Sequence, residues 1–259
     1  MKKYFLTIVM IFAGMLVFSQ DLPFARQYMF DQTLLNPAIG SRNDFITIKL
    51  TGNQQWTQMP RNPLSQTLSY NMKFINKMGF NAALLNDRYG VINNSGLKLS
   101  YFYYTKLNTK GDYISFGASV SGYNYAIKMS QLNPATPDPR LSGDNMNTFF
   151  MNAGIGVYYE KDKLSLGLSA GNLVPYKPSF ANTDLEPSQS RTYTLYGEYR
   201  IKNEINTMAV VPSLLFSIDE LRRKEVNINT KLIIQNVVWF GVSYRDAITL
   251  QAQAMHKYL

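Results

Sequence analysis

Residues 164–171 read LSLGLSAG, and their side chains alternate between two kinds. One set of alternate positions carries leucine or alanine, and the other set carries serine or glycine. Alternate residues of a β-strand point to opposite faces of a sheet. The segment therefore predicts a strand with one apolar face and one face that is almost bare of side chains.

The same alternation recurs along most of the chain, for example in DYISFGASVSG at residues 112–122 and QTLSYNMK at residues 66–73. It predicts about twelve strands, whereas helical periodicity is confined to the region around residues 24–35. The sequence therefore predicts an all-β fold. Pro212 interrupts one alternating segment and predicts a strand start, a bulge or a local irregularity, because proline cannot donate a hydrogen bond to a sheet.

Two architectures are compatible with such strands. In a soluble β-sandwich the apolar face forms the core, whereas in a membrane barrel it faces lipid and the serine and glycine face lines the lumen. Several predicted strands have about 9 to 11 residues, which is the length that crosses the hydrocarbon of a membrane. Strands of soluble proteins usually have about five or six residues. Strand length therefore favours the barrel.

The connections between the strands also favour the barrel, because long ones rich in proline and polar residues alternate with shorter ones. Long connections are predicted at residues 54–65, 86–95, 125–148 and 172–190, and shorter ones at residues 74–78, 105–111 and 161–163. Outer-membrane barrels have long loops outside and short turns in the periplasm. We therefore predict an antiparallel transmembrane β-barrel in the outer membrane.

The start of the chain predicts export. Lys2 and Lys3 precede an apolar stretch at residues 5–18, and the small residue Ser19 follows. This order is typical of a secretory signal peptide, and about 14 apolar residues are too few to span a bilayer. We predict three parts, which are a signal peptide at residues 1–19, an irregular periplasmic or plug-like segment at residues 20–44 and the barrel at residues 45–259.

Charge and composition disfavour several functions. The formal net charge of +9 is scattered, and its largest basic cluster is Arg222-Arg223-Lys224, so nucleic-acid binding is not expected. The chain has one histidine, His256, and no cysteine, so zinc sites of the usual types cannot form. The sequence contains no recognisable catalytic motif. We therefore expect neither an enzyme nor a bound cofactor or metal.

Three segments resemble the PorP/SprF family, outer-membrane proteins of the type IX secretion and gliding machinery. They are QYMFDQTLLNPAIG at residues 27–40, GNQQWTQMPRNPLSQTLSY at residues 52–70, and a late pair that contains VVPSLLF and WFGVSYR. The matching residues that carry the resemblance are Gln27, Tyr28, Asn36, Pro37, Trp56, Pro60, Trp239, Tyr244 and Arg245. The order and spacing of these motifs cover most of the mature chain.

The resemblance implies a barrel that assists the secretion or surface retention of a large cargo protein, such as an adhesin, together with other type IX components. It also implies roughly 14 strands. The chain is therefore expected to be either a short member with a smaller barrel or one truncated at its C-terminus. Two other functions stay open, which are a general porin or small-solute channel and a soluble secreted β-sandwich that binds surface ligands.

The two longest connections predict a docking surface for the exported protein. Each contains three prolines, which restrict the backbone and so reduce the entropy lost on docking. If the chain enters its first strand from the periplasm, both connections emerge on the outer side. The contact residues expected there are Asn133, Asp138, Arg140, Asp144, Tyr176, Lys177 and Phe180.

Overall fold

The computed structural model describes residues 30–40, 46–74, 77–108, 112–129, 145–175, 190–203, 207–235, 237–244 and 248–254. Within these ranges the chain forms one sheet of 13 strands and a short 3-10 helix at Gln32–Leu34. None of the helical structure in this part of the chain is long and apolar enough to cross a membrane.

The sheet is built from long strands that follow one another in sequence order. The strands are β1 (Thr47–Gln54), β2 (Leu64–Lys73), β3 (Met78–Tyr89), β4 (Ile92–Lys106), β5 (Tyr113–Ile127), β6 (Met146–Lys161), β7 (Leu164–Gly171), β8 (Thr192–Tyr199), β9 (Ile201–Lys202), β10 (Met208–Asp219), β11 (Lys224–Ile234), β12 (Val238–Tyr244) and β13 (Ile248–Ala254). Each pairs antiparallel with its neighbour in the order of the chain, except that β8 and β9 both pair with β10. The predicted all-β antiparallel fold is confirmed.

The interruption between β8 and β9 faces the proline of β10. Ser213 pairs with Glu198 of β8, and Val210 pairs with Ile201 of β9, in the same register on both sides of the gap. Pro212 lies between these pairs and has no N–H to donate. The irregularity predicted at this proline is therefore a break in the neighbouring strand, while Pro212 itself lies inside β10.

The apolar face of the sheet is the exposed one. In β7, Leu168 is 60% exposed whereas Ser165 is 2% exposed. Other strands show the same arrangement. Their outward leucine, isoleucine and phenylalanine side chains are exposed, and their inward serine, threonine and asparagine side chains are buried. In water so much exposed apolar surface would be unfavourable, whereas lipid solvates it. This pattern rules out the soluble sandwich, whose apolar faces would be buried.

One predicted connection is wrong. Residues 86–95 were expected to form a long loop, but β3 continues to Tyr89 and β4 begins at Ile92. Gly90 forms the turn with a positive φ of 60°, a conformation that glycine adopts without strain. The polar residues that indicated a loop instead extend two paired strands beyond the apolar band, and Asp87 points inward with 4% exposure.

Antiparallel pairing divides the connections between the two ends of the sheet. One end, which we call the long-loop end, carries residues 55–63, 90–91, 128–145, 172–191, 220–223 and 245–247. The other, the short-turn end, carries residues 74–77, 107–112, 162–163, 203–207 and 235–237, and the chain enters β1 from there. The two longest connections therefore share one end, as the predicted topology requires.

Candidate functional site

Residues 30–40, which we call the inner segment, lie against the inner face of the sheet. Residues 31, 33, 34 and 36–39 of this segment are buried. Hydrogen bonds, a ring contact and close backbone approaches connect the segment to β1 through β8 and to β12. So short a segment can contact so many strands only because the sheet curves around it.

Asp31 attaches the start of the inner segment to the first two strands. It is 1% exposed and caps the 3-10 helix, accepting hydrogen bonds from the backbone N–H of Thr33 at 3.2 Å and from its hydroxyl at 2.7 Å. Lys49 Nζ of β1 donates to Asp31 Oδ1 at 3.2 Å, and the Ser69 hydroxyl of β2 donates to Oδ2. These partners offset the cost of burying the carboxylate charge.

Gln32 makes the corresponding attachment to the opposite wall. Its Nε2 donates to the Tyr196 hydroxyl oxygen at 2.5 Å and to Glu198 Oε2 at 3.1 Å, both on β8. The Tyr196 hydroxyl in turn donates to Glu198 Oε2. Two adjacent residues of the inner segment therefore join β1 and β2 to β8 across the lumen.

Leu34 connects the inner segment to the middle of the sheet. Its carbonyl oxygen accepts a hydrogen bond of 2.6 Å from Lys98 Nζ of β4. Its side chain packs in a buried cluster with Leu85, Tyr123 and Phe150, where the two aromatic rings stack with centroids 5.3 Å apart. Apolar and aromatic side chains therefore fill this part of the lumen next to the inner segment.

Asn36 occupies a notch that glycines leave in the wall. Its Nδ2 donates to the carbonyl oxygens of Val157 at 3.0 Å and Leu168 at 3.1 Å, on β6 and β7. A Cβ atom at Gly156 would overlap Asn36 Oδ1, and one at Gly167 would lie 3.0 Å from Asn36 Nδ2. The nearly bare inner face of these strands therefore accommodates the inner segment directly against the backbone.

The inner segment lies near the short-turn end of the sheet. It contacts Lys49, Asn81 and Gly117, which fall within the first five residues of β1, β3 and β5. These three strands start at the short-turn end. The inner segment therefore obstructs the lumen at this end. In the described ranges, no group of three or more His, Cys, Asp or Glu residues could hold a metal ion.

The structure separates the family-motif residues into two groups. Asn36 and Pro37 belong to the inner segment, and Trp239 points inward, where its ring centroid lies 5.2 Å from that of Phe30. Trp56 and Pro60 lie in the exposed connection at residues 55–63. Tyr244 is exposed at the end of β12. Gln27, Tyr28 and Arg245 lie outside the described residues.

The residues predicted to dock an exported partner are not among those that the structure describes. They lie in the connections at residues 128–145 and 172–191, which span the gaps 130–144 and 176–189. These residues are Asn133, Asp138, Arg140, Asp144, Tyr176, Lys177 and Phe180. Their role stays a prediction.

Sequence reasoning missed the charged side chains that hold the inner segment. Lys49 and Lys98 sit at inward positions between outward apolar neighbours, and Glu198 sits at an inward position between Gly197 and Tyr199. Ionisable residues inside membrane segments are rare and commonly have a specific partner. An inward lysine in a predicted barrel strand therefore indicates that a specific partner lies in the lumen. The sequence alone does not identify that partner.

The fold and the filled lumen define a class of protein, a transmembrane β-barrel whose interior is occupied by a segment that precedes its first strand. The sequence belongs to the PorP/SprF family of type IX secretion system membrane proteins, which it matches over residues 17–257. The resemblance expected from the motifs is confirmed. The chain is accordingly an outer-membrane protein of the type IX secretion system, as predicted.

Three solved structures are similar to this chain. A KdgM porin is 13% identical, with a TM-score of 0.45 over 80% of this chain and 95% of that one. A KdgM porin in complex with disordered oligogalacturonate is 14% identical, with a TM-score of 0.44 over the same shares. The β domain of the Bordetella autotransporter BrkA is 11% identical, with a TM-score of 0.39 over 80% and 93%. No curated protein matches the chain.

Proposed function

We propose that this barrel assists the secretion or surface retention of a large cargo protein, such as an adhesin, and acts as a docking partner rather than as an enzyme or an open channel. The observation that carries the proposal is the inner segment, which occupies the lumen near the short-turn end through the buried residues Asp31 and Asn36. A barrel obstructed in this way is poorly suited to the alternative function, that of a general porin or small-solute channel.

Because the lumen is obstructed, the cargo protein is expected to dock on surfaces outside the lumen. The two longest connections, at residues 128–145 and 172–191, share the long-loop end. Outer-membrane barrels place their long loops outside the cell, and on this basis we propose that the inner segment lies at the periplasmic mouth. β5 and β6 have 15 and 16 residues and support the first of these connections. Trp56 lies in another connection at that end, is 66% exposed, and offers the kind of aromatic side chain enriched in protein interfaces.

The experiment replaces each long connection separately and follows the cargo. Residues 131–147 or 174–188 are exchanged for a short Gly/Ser turn in the otherwise intact chain. Assembly of the barrel is checked by the difference in gel mobility between unheated and heated samples. We expect assembled barrels in both variants and release of the cargo into the medium. Retention of the cargo at the cell surface in both variants would contradict docking by these loops.

A further inference from the structure

The lipid-facing wall contains an apolar groove of about 710 Å³ that the proposed function does not use. Its volume falls in the range of about 300 to 1,000 Å³ that is typical of ligand sites. The groove runs across β5, β6, β7, β8 and β10, on the outward face of the sheet. Its exposed side chains include Phe116, Leu168 and Leu195. This surface is open to the hydrocarbon of the membrane rather than to the lumen.

The pairing register of these five strands explains why the wall has a groove here. One row of outward residues is uniformly bulky, and consists of the paired residues Phe116, Val157, Leu168, Leu195 and Phe216. In the next row towards the long-loop end, Ala170 pairs with Ile155 on one side and with Tyr193 on the other. A methyl group between two larger side chains leaves a hollow in the wall. Strands lie about 4.8 Å apart, so five strands make a surface about 20 Å wide, wider than one acyl chain.

Cationic side chains border this groove at the long-loop end. Arg191 continues the β8–β10 ladder two residues before Tyr193, since the backbone N–H of Glu220 donates to its carbonyl oxygen at 3.2 Å. Its guanidinium donates to Glu220 at 2.9 Å and remains 42% exposed. Lys224 pairs with Ile218, which lines the groove, and is exposed. Directly opposed residues share a face of the sheet, so both cations stand on the outward side.

The exposed Arg222 adds a further positive charge in the turn that joins β10 to β11. Among the described residues, Arg191, Arg222 and Lys224 border the groove together with the carboxylate of Glu220, while Asp219 is paired with Arg223. Arg222 and Lys224 belong to the basic cluster found in the sequence. An apolar groove at membrane depth with a cationic border fits a ligand that has several acyl chains and a phosphate group.

We infer that the groove binds a phosphorylated, multiply acylated glycolipid of the lipid A type from the outer leaflet. The acyl chains lie over Ala170 and Leu168, and Arg191 and Lys224 receive a phosphate. The choice of the outer leaflet rests on the proposed orientation of the barrel, whereas binding itself does not depend on the proposed cargo role.

The test measures lipid retention by the purified full-length protein in detergent, using native mass spectrometry. The probes are diphosphoryl lipid A, monophosphoryl lipid A and phosphatidylglycerol. We expect diphosphoryl lipid A to bind at least about tenfold more tightly than phosphatidylglycerol, a difference of about 1.4 kcal/mol. Equal retention of the two lipids, or a preference for phosphatidylglycerol, would mean that the wall is covered by ordinary membrane lipid and would overturn the inference.

Two sets of variants locate the site. Ala170→Trp fills the hollow and is expected to abolish the preference for lipid A, whereas Ala82→Trp, at an outward alanine of β3 away from the groove, should leave it unchanged. If Ala170→Trp does not assemble, Ala170→Leu replaces it. The double variant Arg191→Gln/Lys224→Gln should weaken binding of diphosphoryl lipid A about tenfold, with a smaller loss for monophosphoryl lipid A. Equal binding by the groove variant and the Ala82→Trp control would overturn the inference.

Lipid binding and cargo retention are separate outcomes. A variant that no longer binds lipid A but still retains cargo at the cell surface supports the lipid site and leaves the proposed function unaffected. If the loop replacements release cargo into the medium but still bind lipid A, the proposed function is supported and the lipid-site inference is unaffected.

Discussion

Asn36 shows at the scale of single residues why some inward positions of the barrel wall are occupied by glycine. Its amide lies against the backbone of β6 and β7, where Gly156 and Gly167 leave the space that it occupies. At another inward glycine, Gly117, an added Cβ would overlap the backbone of Pro37 and Ala38. These glycines are therefore required by close approach of the inner segment and not by an open lumen.

Gly156→Ala tests this packing. The added methyl would overlap Asn36 Oδ1, so the inner segment must shift, and overpacking of this kind costs about 1 to 3 kcal/mol. The matched control is Gly171→Ala in β7, where an added Cβ meets nothing within 4 Å. We expect the temperature at which the unheated barrel band disappears from a gel to fall for Gly156→Ala and to stay unchanged for Gly171→Ala. Equal stability of the two variants would contradict the conclusion that Gly156 leaves space for Asn36.

At the scale of elements, the inner segment contributes to the stability of the barrel through contacts that the strands alone cannot make. Leu34 and Ile39 are each 6% exposed and belong to two separate buried clusters. Losing either side chain from a packed core typically costs about 2 to 5 kcal/mol. Deleting residues 20–40 behind the predicted signal peptide is therefore expected to lower the unfolding temperature of the barrel markedly.

The control for this deletion keeps the length of the chain. Residues 30–40 are replaced by an equally long Gly/Ser sequence, which removes the contacts and retains the connection to β1. We expect the replacement to be destabilised as strongly as the deletion, measured by the same gel assay. A replacement as stable as the parent protein would show that the contacts of the inner segment are unimportant for the barrel.

The strands themselves could be predicted from the sequence because their signal is local. An alternation of period two assigns each side chain to a face within a few residues, and it placed Ser165 and Leu168 on the correct faces. It failed at residues 86–95, because polar residues also occur in strands that extend beyond the membrane. Composition alone cannot separate such a strand end from a loop.

At the scale of the whole molecule, the decisive contacts join residues that are far apart in the chain. Gln32 and Glu198 are separated by 166 positions, and Asn36 and Leu168 by 132. No periodicity links such pairs, so their partners could not be read from the sequence. A plug-like segment at residues 20–44 was predicted from the apolar residues there and from the bare strand faces. Its boundaries stay a prediction, whereas the contacts of residues 30–40 come from the structure.

The contacts that hold Asp31 in the lumen predict how the whole barrel conducts ions. Asp31→Asn removes the charge opposite Lys49 and one acceptor of the Ser69 hydroxyl, and an unsatisfied buried group costs about 1 to 3 kcal/mol. We expect the parent protein to pass no steady current in planar bilayers and Asp31→Asn to show frequent openings. Asp162→Asn, in the exposed turn between β6 and β7, should behave like the parent. A steady current through the parent protein would instead favour the channel function and would contradict the proposal that the inner segment closes the lumen.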